Sequence, residues 1–273
     1  MGHSPVRIAP VVPQIVAHRG ASTEAPEHTY AAYVAALAAG ADALECDVRL
    51  TADGHLVCVH DRRVDRTSDG HGRVSSLELA RLEELDFGSW HVSASPGGEA
   101  PDRDASTVLT LRRLLDLVAA HPKPVQMAIE VKHPSRYAGQ VERRLIRLLD
   151  EYGWAGSGSP VRVMSFSRAA LWRARRLAPA LPTVFLMEPF VYRAFGGSLP
   201  AGVPIAGPSV EILRTRPDSV ERWHRAGRQV HVWTVDEPSD FELCLSLGVE
   251  AVITNRPRRM RAELEARAAG HVE

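Results

Sequence analysis

The chain has 273 residues, 45% of them hydrophobic and 24% charged, with 33 basic residues against 33 acidic ones. That is the balance of a folded globular protein with one large domain or two small ones, and it excludes disordered and fibrous classes. A formal net charge of zero, with no basic stripe, argues against a nucleic-acid partner.

Cys46, Cys58 and Cys244 form no CxxC spacing and are odd in number, which points away from a disulfide framework or zinc ribbon and toward a reducing compartment. No apolar stretch follows a basic cluster between Met1 and Pro13, and no run of about 18 apolar residues occurs anywhere. The expectation is a soluble, cytoplasmic protein with no transmembrane segment.

Short apolar runs alternate with amphipathic stretches along the chain, the pattern of βα units and a parallel sheet. Ile15 to Ala17 reads as a strand, followed by a helix from about Thr29 to Ala39 that Gly40 ends. Ala43 to Leu50 is a second strand, and Leu56 to Val59 a third after the turn Asp53-Gly54. Further strands are predicted at Val125 to Val131, Val161 to Met164, Thr183 to Met187, Ile205-Ala206, Val230 to Trp233 and Ala251 to Thr254. Helices are predicted from about Arg136 to Tyr152, after Met164 to near Pro179, from Pro217 to Ala226 and from Pro238 to Leu247.

About eight parallel strands in a chain of this length match a (β/α)8 TIM barrel. An open, doubly wound sheet is the competitor, but no G-x-G-x-x-G follows the first strand and no G-x-x-x-x-G-K-[ST] occurs. The expected organisation is one barrel domain over 1–273, with an insertion at about 62–110 in an early βα loop. That insertion holds one predicted helix, Ser75 to Leu85, and a Ser-, Gly-, Pro- and Asp-rich loop from Ser93 to Thr107. It is a wall or lid over the catalytic face, or a surface ornament.

On the second strand the side-chain period of two puts Glu45, Asp47 and Arg49 on one face and Leu44, Cys46, Val48 and Leu50 on the other. Alone, this describes a surface strand with one wet face. Parallel strands, however, are buried on both faces, so in a barrel such a polar row belongs near the C-terminal mouth, where active sites form. Val125 to Lys132 repeats the pattern, ending in Glu130 and Lys132 on a common face. A surface Glu–Lys pair is the bland reading, worth only about 0–1 kcal/mol. Glu45, Asp47 and Glu130 together would form an all-oxygen site for a hard divalent cation, Mg²⁺ or Ca²⁺, whereas zinc lacks its preferred ligands here.

His18 and His60 each follow a strand, with the carboxylates on the strand between them. Two imidazoles near neutrality can divide base and acid work. Asp61 immediately follows His60, and as a chain neighbour it is expected to point elsewhere rather than orient the ring. Arg19 and Lys132 are candidate anion holders, one as a forked donor and the other as a movable point charge. This set of groups suits displacement at phosphorus. Serine-based acyl transfer is disfavoured, because no G-x-S-x-G occurs.

At these residues the chain resembles the glycerophosphodiester phosphodiesterase family. The matching segments are AHRGASTEAPEHT (Ala17 to Thr29), GADALECDVRLTADGHLVCVHD (Gly40 to Asp61), RTSDGHGRV (Arg66 to Val74), AIEVK (Ala128 to Lys132), MSFS (Met164 to Ser167), VWTVD (Val232 to Asp236) and GVEAVITNRP (Gly248 to Pro257). The resemblance implies a phosphodiesterase barrel with His18 and His60 as the acid–base pair. It further implies Glu45, Asp47 and Glu130 as ligands of a divalent metal, with Arg19 and Lys132 on the phosphate. Phe166 and Trp233 look like pocket-lining residues, and Glu27 is expected to support the metal shell.

The implied substrate is a small glycerophosphodiester, cleaved to sn-glycerol 3-phosphate and an alcohol. The chain departs from the family pattern at His28 and Asp236, where the family often has Asn. Two other readings stand beside this one. A lysophospholipase D-type enzyme would need an apolar groove, for which Phe185 to Met187 and Pro189 to Tyr192 are the candidates. A catalytically silent barrel could instead bind a phosphodiester or a partner protein, although all seven polar site positions carry reactive residue types.

Overall fold

A computed structural model describes residues 12–91, 103–137 and 139–270. The chain begins with β1 (Gln14–His18), α1 (Tyr30–Ala38), β2 (Ala43–Leu50) and β3 (Leu56–Cys58). The inserted region carries α2 (Leu79–Glu83) and α3 (Arg103–Ser106) and leads to α4 (Leu111–Ala120). The alternation then runs through β4 (Gln126–Val131), α5 (Gln140–Glu151), β5 (Val161–Ser165), α6 (Arg168–Leu177), β6 (Thr183–Met187) and α7 (Pro189–Phe195). It ends with β7 (Ile205–Pro208), α8 (Val210–Thr215), α9 (Asp218–Arg225), β8 (Gln229–Val232), α10 (Pro238–Leu247), β9 (Ala251–Thr254) and α11 (Pro257–Gly270).

Every strand except β3 is parallel to its neighbours. The ring closes because β1 pairs with β9 (Gln14↔Ala251) on one side and with β2 (Val16↔Ala43) on the other. This is the closed (β/α)8 barrel, and closure removes the open-sheet alternative. The short third strand lies outside the ring. β2 is long enough to pair with β1 through Ala43 to Glu45 and then, antiparallel, with β3 through Val48 to Leu50. β3 therefore raises a hairpin above the barrel mouth. Among the described residues, no helix is long and apolar enough to cross a membrane.

Side-chain alternation divides the strands into two layers. Ala43, Ala128 and Ala251 face the lumen beside Val16, Met164, Val184, Leu186, Ile205 and Ile253, small residues making room for larger ones. The opposite faces of β2 and β4, including Leu44, Cys46, Val48, Met127, Ile129 and Val131, pack against Leu114, Leu115, Leu145 and Leu149 of α4 and α5. Each such fully buried Leu contributes roughly 1.5–3 kcal/mol. With Ala43 and Ala128 pointing inward, the period of two carries Glu45, Asp47, Glu130 and Lys132 inward as well, higher toward the mouth.

The insertion has a small core of its own. Val64, Val74, Leu82, Leu85 and Phe87 pack with Val57, Val59 and Val108. The predicted helix Ser75 to Leu85 is interrupted: a single 3₁₀ turn at Val74–Ser76 precedes α2. Leu77 is extended at the break, its carbonyl accepts from Ala52 N, and the Asp53 carboxylate takes the Leu79 amide at 3.1 Å. Contacts from the hairpin turn thus cap α2 and override local helix continuity. Residues 93–102 of the predicted loop lie outside the described residues, as do residues 1–11.

Candidate active site

The first βα loop leaves β1 at His18 and re-enters regular structure at Thr29, whose hydroxyl caps α1 by accepting from Ala32 N. Two non-glycine residues of this loop, Arg19 (φ 57°) and His28 (φ 61°), are left-handed, and His28 N donates to Arg19 O at 3.0 Å. Such strain persists only where surroundings impose it. Here both residues are tied to the carboxylates of β2. Arg19 N donates to Glu45 Oε2 at 3.0 Å, Arg19 Nε lies 3.2 Å from Asp47 Oδ2, and His28 Nε2 meets the same oxygen at 2.9 Å.

Glu45, Asp47 and Glu130 each offer an oxygen within 4.8 Å of the others, and all three side chains are buried. Lys132 Nζ bridges them, 3.3 Å from Asp47 and 2.9 Å from Glu130. Burial followed by repulsion from Asp47 pushes Glu130 up to about 8, and the same causes raise Glu45 well above the carboxylate range. Burial also opposes ionisation of Asp47, but the His28 hydrogen bond and the charges of Lys132 and Arg19 outweigh it and hold that carboxyl well below the usual range. The surplus of buried acid over base fits a divalent cation: an all-carboxylate donor set suits a hard ion, and such a charge relieves the repulsion that keeps protons on Glu130 and Glu45.

Both histidines reach the same cavity, of about 290 Å³, which is lined by His18, Arg19, Glu45, His60, Glu130, Lys132, Phe166 and Trp233 among others. Asp47 sits behind this wall. His18 Nδ1 lies 2.7 Å from Asn255 Oδ1. The orientation of that amide follows from its other partners: Asn255 Nδ2 donates to the Asp236 carboxylate at 2.6 Å, and Ser22 Oγ donates to Oδ1 at 2.8 Å. His18 therefore carries its hydrogen on Nδ1, and its Nε2 lone pair lies on the side of Glu45, 4.0 Å from Oε2. Burial, then the neighbouring Arg19, lowers the His18 pKa to about 4.

His60 is held differently. Its Nδ1 meets Asp61 Oδ1 at 2.6 Å, so Asp61 orients the ring after all, contrary to the expectation for an immediate chain neighbour. The other Asp61 oxygen accepts from Arg66 Nε at 2.7 Å, which turns that carboxylate back toward the histidine. Arg49, the third polar residue on its face of β2, donates Nε and Nη2 to the His60 carbonyl. Burial lowers the His60 pKa, with Arg19 and Lys132 adding to the shift.

Glu27 is not part of the acidic triad. It pairs with Arg19 Nη1 at 3.0 Å and with Arg66 Nη2 at 2.7 Å, so it joins the insertion to the first loop. Through Arg66 the described part of the insertion braces the groups that hold His60 and Arg19. Phe166 and Trp233 stand edge to face, centroids 5.4 Å apart, and both line the cavity, with Lys132 Nζ 5.9 Å from the Phe166 ring centroid. Of the segments considered for an acyl groove, Leu186 alone lines this cavity. Phe185 and Met187 pack outward against the helices, and the Tyr192 hydroxyl bonds Ser219 Oγ at 2.6 Å.

Asn255, Arg66 and the orienting role of Asp61 were missed by sequence reasoning. Asn255 and Arg66 both lie within segments that carry the resemblance, but nothing in their local spacing marks them: Asn255 meets His18 across 237 residues, and Arg66 joins nearby Asp61 to Glu27, 39 residues away.

A closed (β/α)8 barrel with acids, imidazoles and cations gathered at the C-terminal mouth defines a catalytic barrel equipped for charge-stabilised displacement. The model of the glycerophosphoryl diester phosphodiesterase family matches residues 18–259, and the chain belongs to that family of enzymes. It is 49% identical to a Mycobacterium tuberculosis protein named probable glycerophosphodiester phosphodiesterase 1, over 93% of each chain. It is 35% identical to the glycerophosphodiester phosphodiesterase of Bacillus subtilis, over 89% of this chain and 83% of that one.

Among solved structures, the Agrobacterium tumefaciens glycerophosphodiester phosphodiesterase superposes with a TM-score of 0.72 at 26% identity, covering 92% of this chain and all of the other (100%). An Oleispira antarctica phosphodiesterase, in complex with the product sn-glycerol-3-phosphate, shares the fold with a TM-score of 0.79 at 24% identity, covering 93% of this chain and 97% of that one.

Proposed function

We propose that this enzyme hydrolyses small glycerophosphodiesters to sn-glycerol 3-phosphate and an alcohol, with a divalent cation, Mg²⁺ or Ca²⁺, held by Glu45, Asp47 and Glu130. The observation that carries this reading is the cluster of those three carboxylates, of which Glu45 and Glu130 line the same cavity as His18 and His60. When bound, the cation supplies positive charge to the phosphodiester oxygens and to the charge that develops during displacement. Arg19 and Lys132 add donors to the same oxygens, and the fork of Arg19 orients the group.

His18 is the general base in this reading. Its Nδ1–H is committed to Asn255, so Nε2 is free to take the proton of the nucleophile, either water or a glycerol hydroxyl whose cyclic phosphate water then opens, and burial keeps the ring neutral. His60 is the general acid. The Asp61 carboxylate on its Nδ1 stabilises the imidazolium, which then protonates the departing alcohol oxygen through Nε2. Phe166, Leu186 and Trp233 supply the apolar part of the cavity lining.

Purified enzyme supplied with glycerophosphocholine and, separately, with its acylated lyso form tests this assignment. Release of glycerol phosphate from the first, at a rate well above turnover of the second, is expected. Preference for the lyso substrate would favour a lysophospholipase D, and tight binding without product a silent barrel.

A further inference from the structure

The N-terminal end of the barrel, opposite the catalytic mouth, holds a second polar cluster. Gln14, Gln126 and Arg162 stand at the starts of β1, β4 and β5, and His231 lies on β8; all four line one cavity of about 310 Å³. Arg162 and His231 are each only 4% exposed. Arg162 Nη1 donates to Gln14 Oε1 at 3.1 Å and to Gln126 Oε1 at 2.9 Å. Its Nε and Nη2, and Nδ1 of His231, have no hydrogen-bond partner among the described residues.

No described carboxylate pairs with this guanidinium. Glu250, the acid among the described lining residues, is already engaged: it accepts from Val230 N at 2.7 Å and lies 3.3 Å from His224 Nε2. Burial lowers the Arg162 pKa to about 10, which leaves the group charged at neutral pH. Burial, together with the nearby Arg162 charge, holds His231 well below its ordinary value and therefore neutral.

A buried cation without a counter-charge is among the costliest arrangements a protein can hold, and a buried half-satisfied donor set is little better. Other buried charges have opposite partners, such as Asp47 with Arg19 and Lys132, and Glu142 of α5 with Arg173 at 2.6 Å. Arg162 instead faces two neutral amides and a cavity.

We propose that the N-terminal cavity is a binding site for a small oxyanion of phosphate size, held by the guanidinium fork of Arg162 with His231 in the same wall. The planar fork presents two parallel N–H donors of the kind that match carboxylate and phosphate oxygens. A neutral imidazole adds one further donor without a second charge. The two glutamine carbonyls hold the guanidinium in place through Nη1 and leave the remaining edge for the anion. Inorganic phosphate and a phosphate monoester, such as the product of the reaction proposed above, present the same oxygens, and the site stands whichever of them fills it.

Calorimetric titration of the metal-free protein, dialysed free of chelator and other oxyanions, tests the site. Inorganic phosphate and glycerol 3-phosphate are titrated separately at constant ionic strength. The unmutated protein and Lys132→Met, which removes a cation of the catalytic cavity, are expected to bind with a saturable stoichiometry near one. Arg162→Met is expected to weaken that binding at least about tenfold while turnover stays unchanged. The arm that saturates at lower concentration identifies the source of the anion.

Binding that survives Arg162→Met, or that Lys132→Met abolishes, would assign the anion to the catalytic cavity and overturn the proposal. If Arg162→Met does not fold, crystals of the unmutated protein grown in bromide decide. An anomalous peak within hydrogen-bond distance of Arg162 Nε or Nη2 supports the site, and ordered water alone at those atoms ends it.

Discussion

His18 and His60 differ in what stands behind the ring, and the proposed division of base and acid work rests on that difference. A neutral amide behind His18 fixes its tautomer without favouring the charged form, whereas the carboxylate behind His60 stabilises a proton on the ring. Replacing either histidine by Ala should lower turnover at least about a hundredfold, within the usual range for general acid–base catalysis. Folded variants with near-normal steady-state rates would remove both residues from the mechanism. Asp61→Asn should leave KM nearly unchanged and reduce kcat about tenfold or more, because the ring keeps a hydrogen-bond partner but loses the charge that supports its protonated form. An equal loss in KM would instead indicate a substrate-binding role for Asp61.

Individual elements matter here for where they end. β2 outruns β1, so its last residues pair with β3, and that hairpin carries His60 and Asp61 over the mouth. The loop after β1 must turn sharply at Gly20 (φ +86°), where an added Cβ would meet the backbone of Ala32 at 2.7 Å. Gly20→Ala should therefore cost about 2 kcal/mol or more in urea unfolding, since both the positive φ and the close approach oppose it. A loss below about 0.5 kcal/mol would show that the loop relaxes freely.

The apolar alternation of β2, β6 and β9 was legible to the residue, because buried parallel strands are bounded by sharp changes in polarity. The helix α4 escaped notice although Leu111, Leu114, Leu115 and Val118 follow a helical period behind a capping Thr110. Its signal was present but stood next to an insertion read as irregular. The break between Val74 and Leu79 had no local signal, since Asp53 and Ala52 impose it from another hairpin.

For the molecule as a whole, the proposed cation site at the acidic triad would link metal binding to protons. Without a cation, Glu130 keeps its proton up to about 8, against an ordinary carboxylate value near 4.5 in the unfolded chain. The folded state then binds more protons than the unfolded one across that window, so this carboxyl's contribution to stability is full below it and is lost as pH rises toward 8. His18 has the opposite sign: its pKa falls from 6.5 to about 4 on folding, so its contribution is complete above 6.5 and is lost as pH falls toward 4.

Metal-free protein should therefore melt at lower temperature at about pH 8.5 than at about pH 6, and added Mg²⁺ or Ca²⁺ should raise Tm more at the higher pH. A cation-induced shift that is independent of pH would contradict the proton count assigned to the triad. Thorough chelation should abolish turnover, with Mg²⁺ or Ca²⁺ restoring it better than Zn²⁺. Activity that survives chelation would dissociate catalysis from Glu45, Asp47 and Glu130.

What the amino-acid order determined by itself was the periodic part of this protein: parallel strands, the face each side chain takes, and the polar residues gathered toward strand ends. A period of two is a local property, so Glu45 and Asp47 had to share a side wherever β2 went. Ring closure, the convergence of β1, β2, β4 and β9 on one cavity, and the partners Asn255, Asp61 and Arg66 were decided only by tertiary structure. Asn255 reaches His18 across 237 residues and Arg66 reaches Glu27 across 39, and no local pattern encodes which distant amide or guanidinium will arrive; Asp61 is a chain neighbour of His60, but only the fold turns its carboxylate onto the ring. The buried guanidinium of Arg162 belongs with them: nothing beside it in the chain shows that, among the described residues, no carboxylate pairs with it.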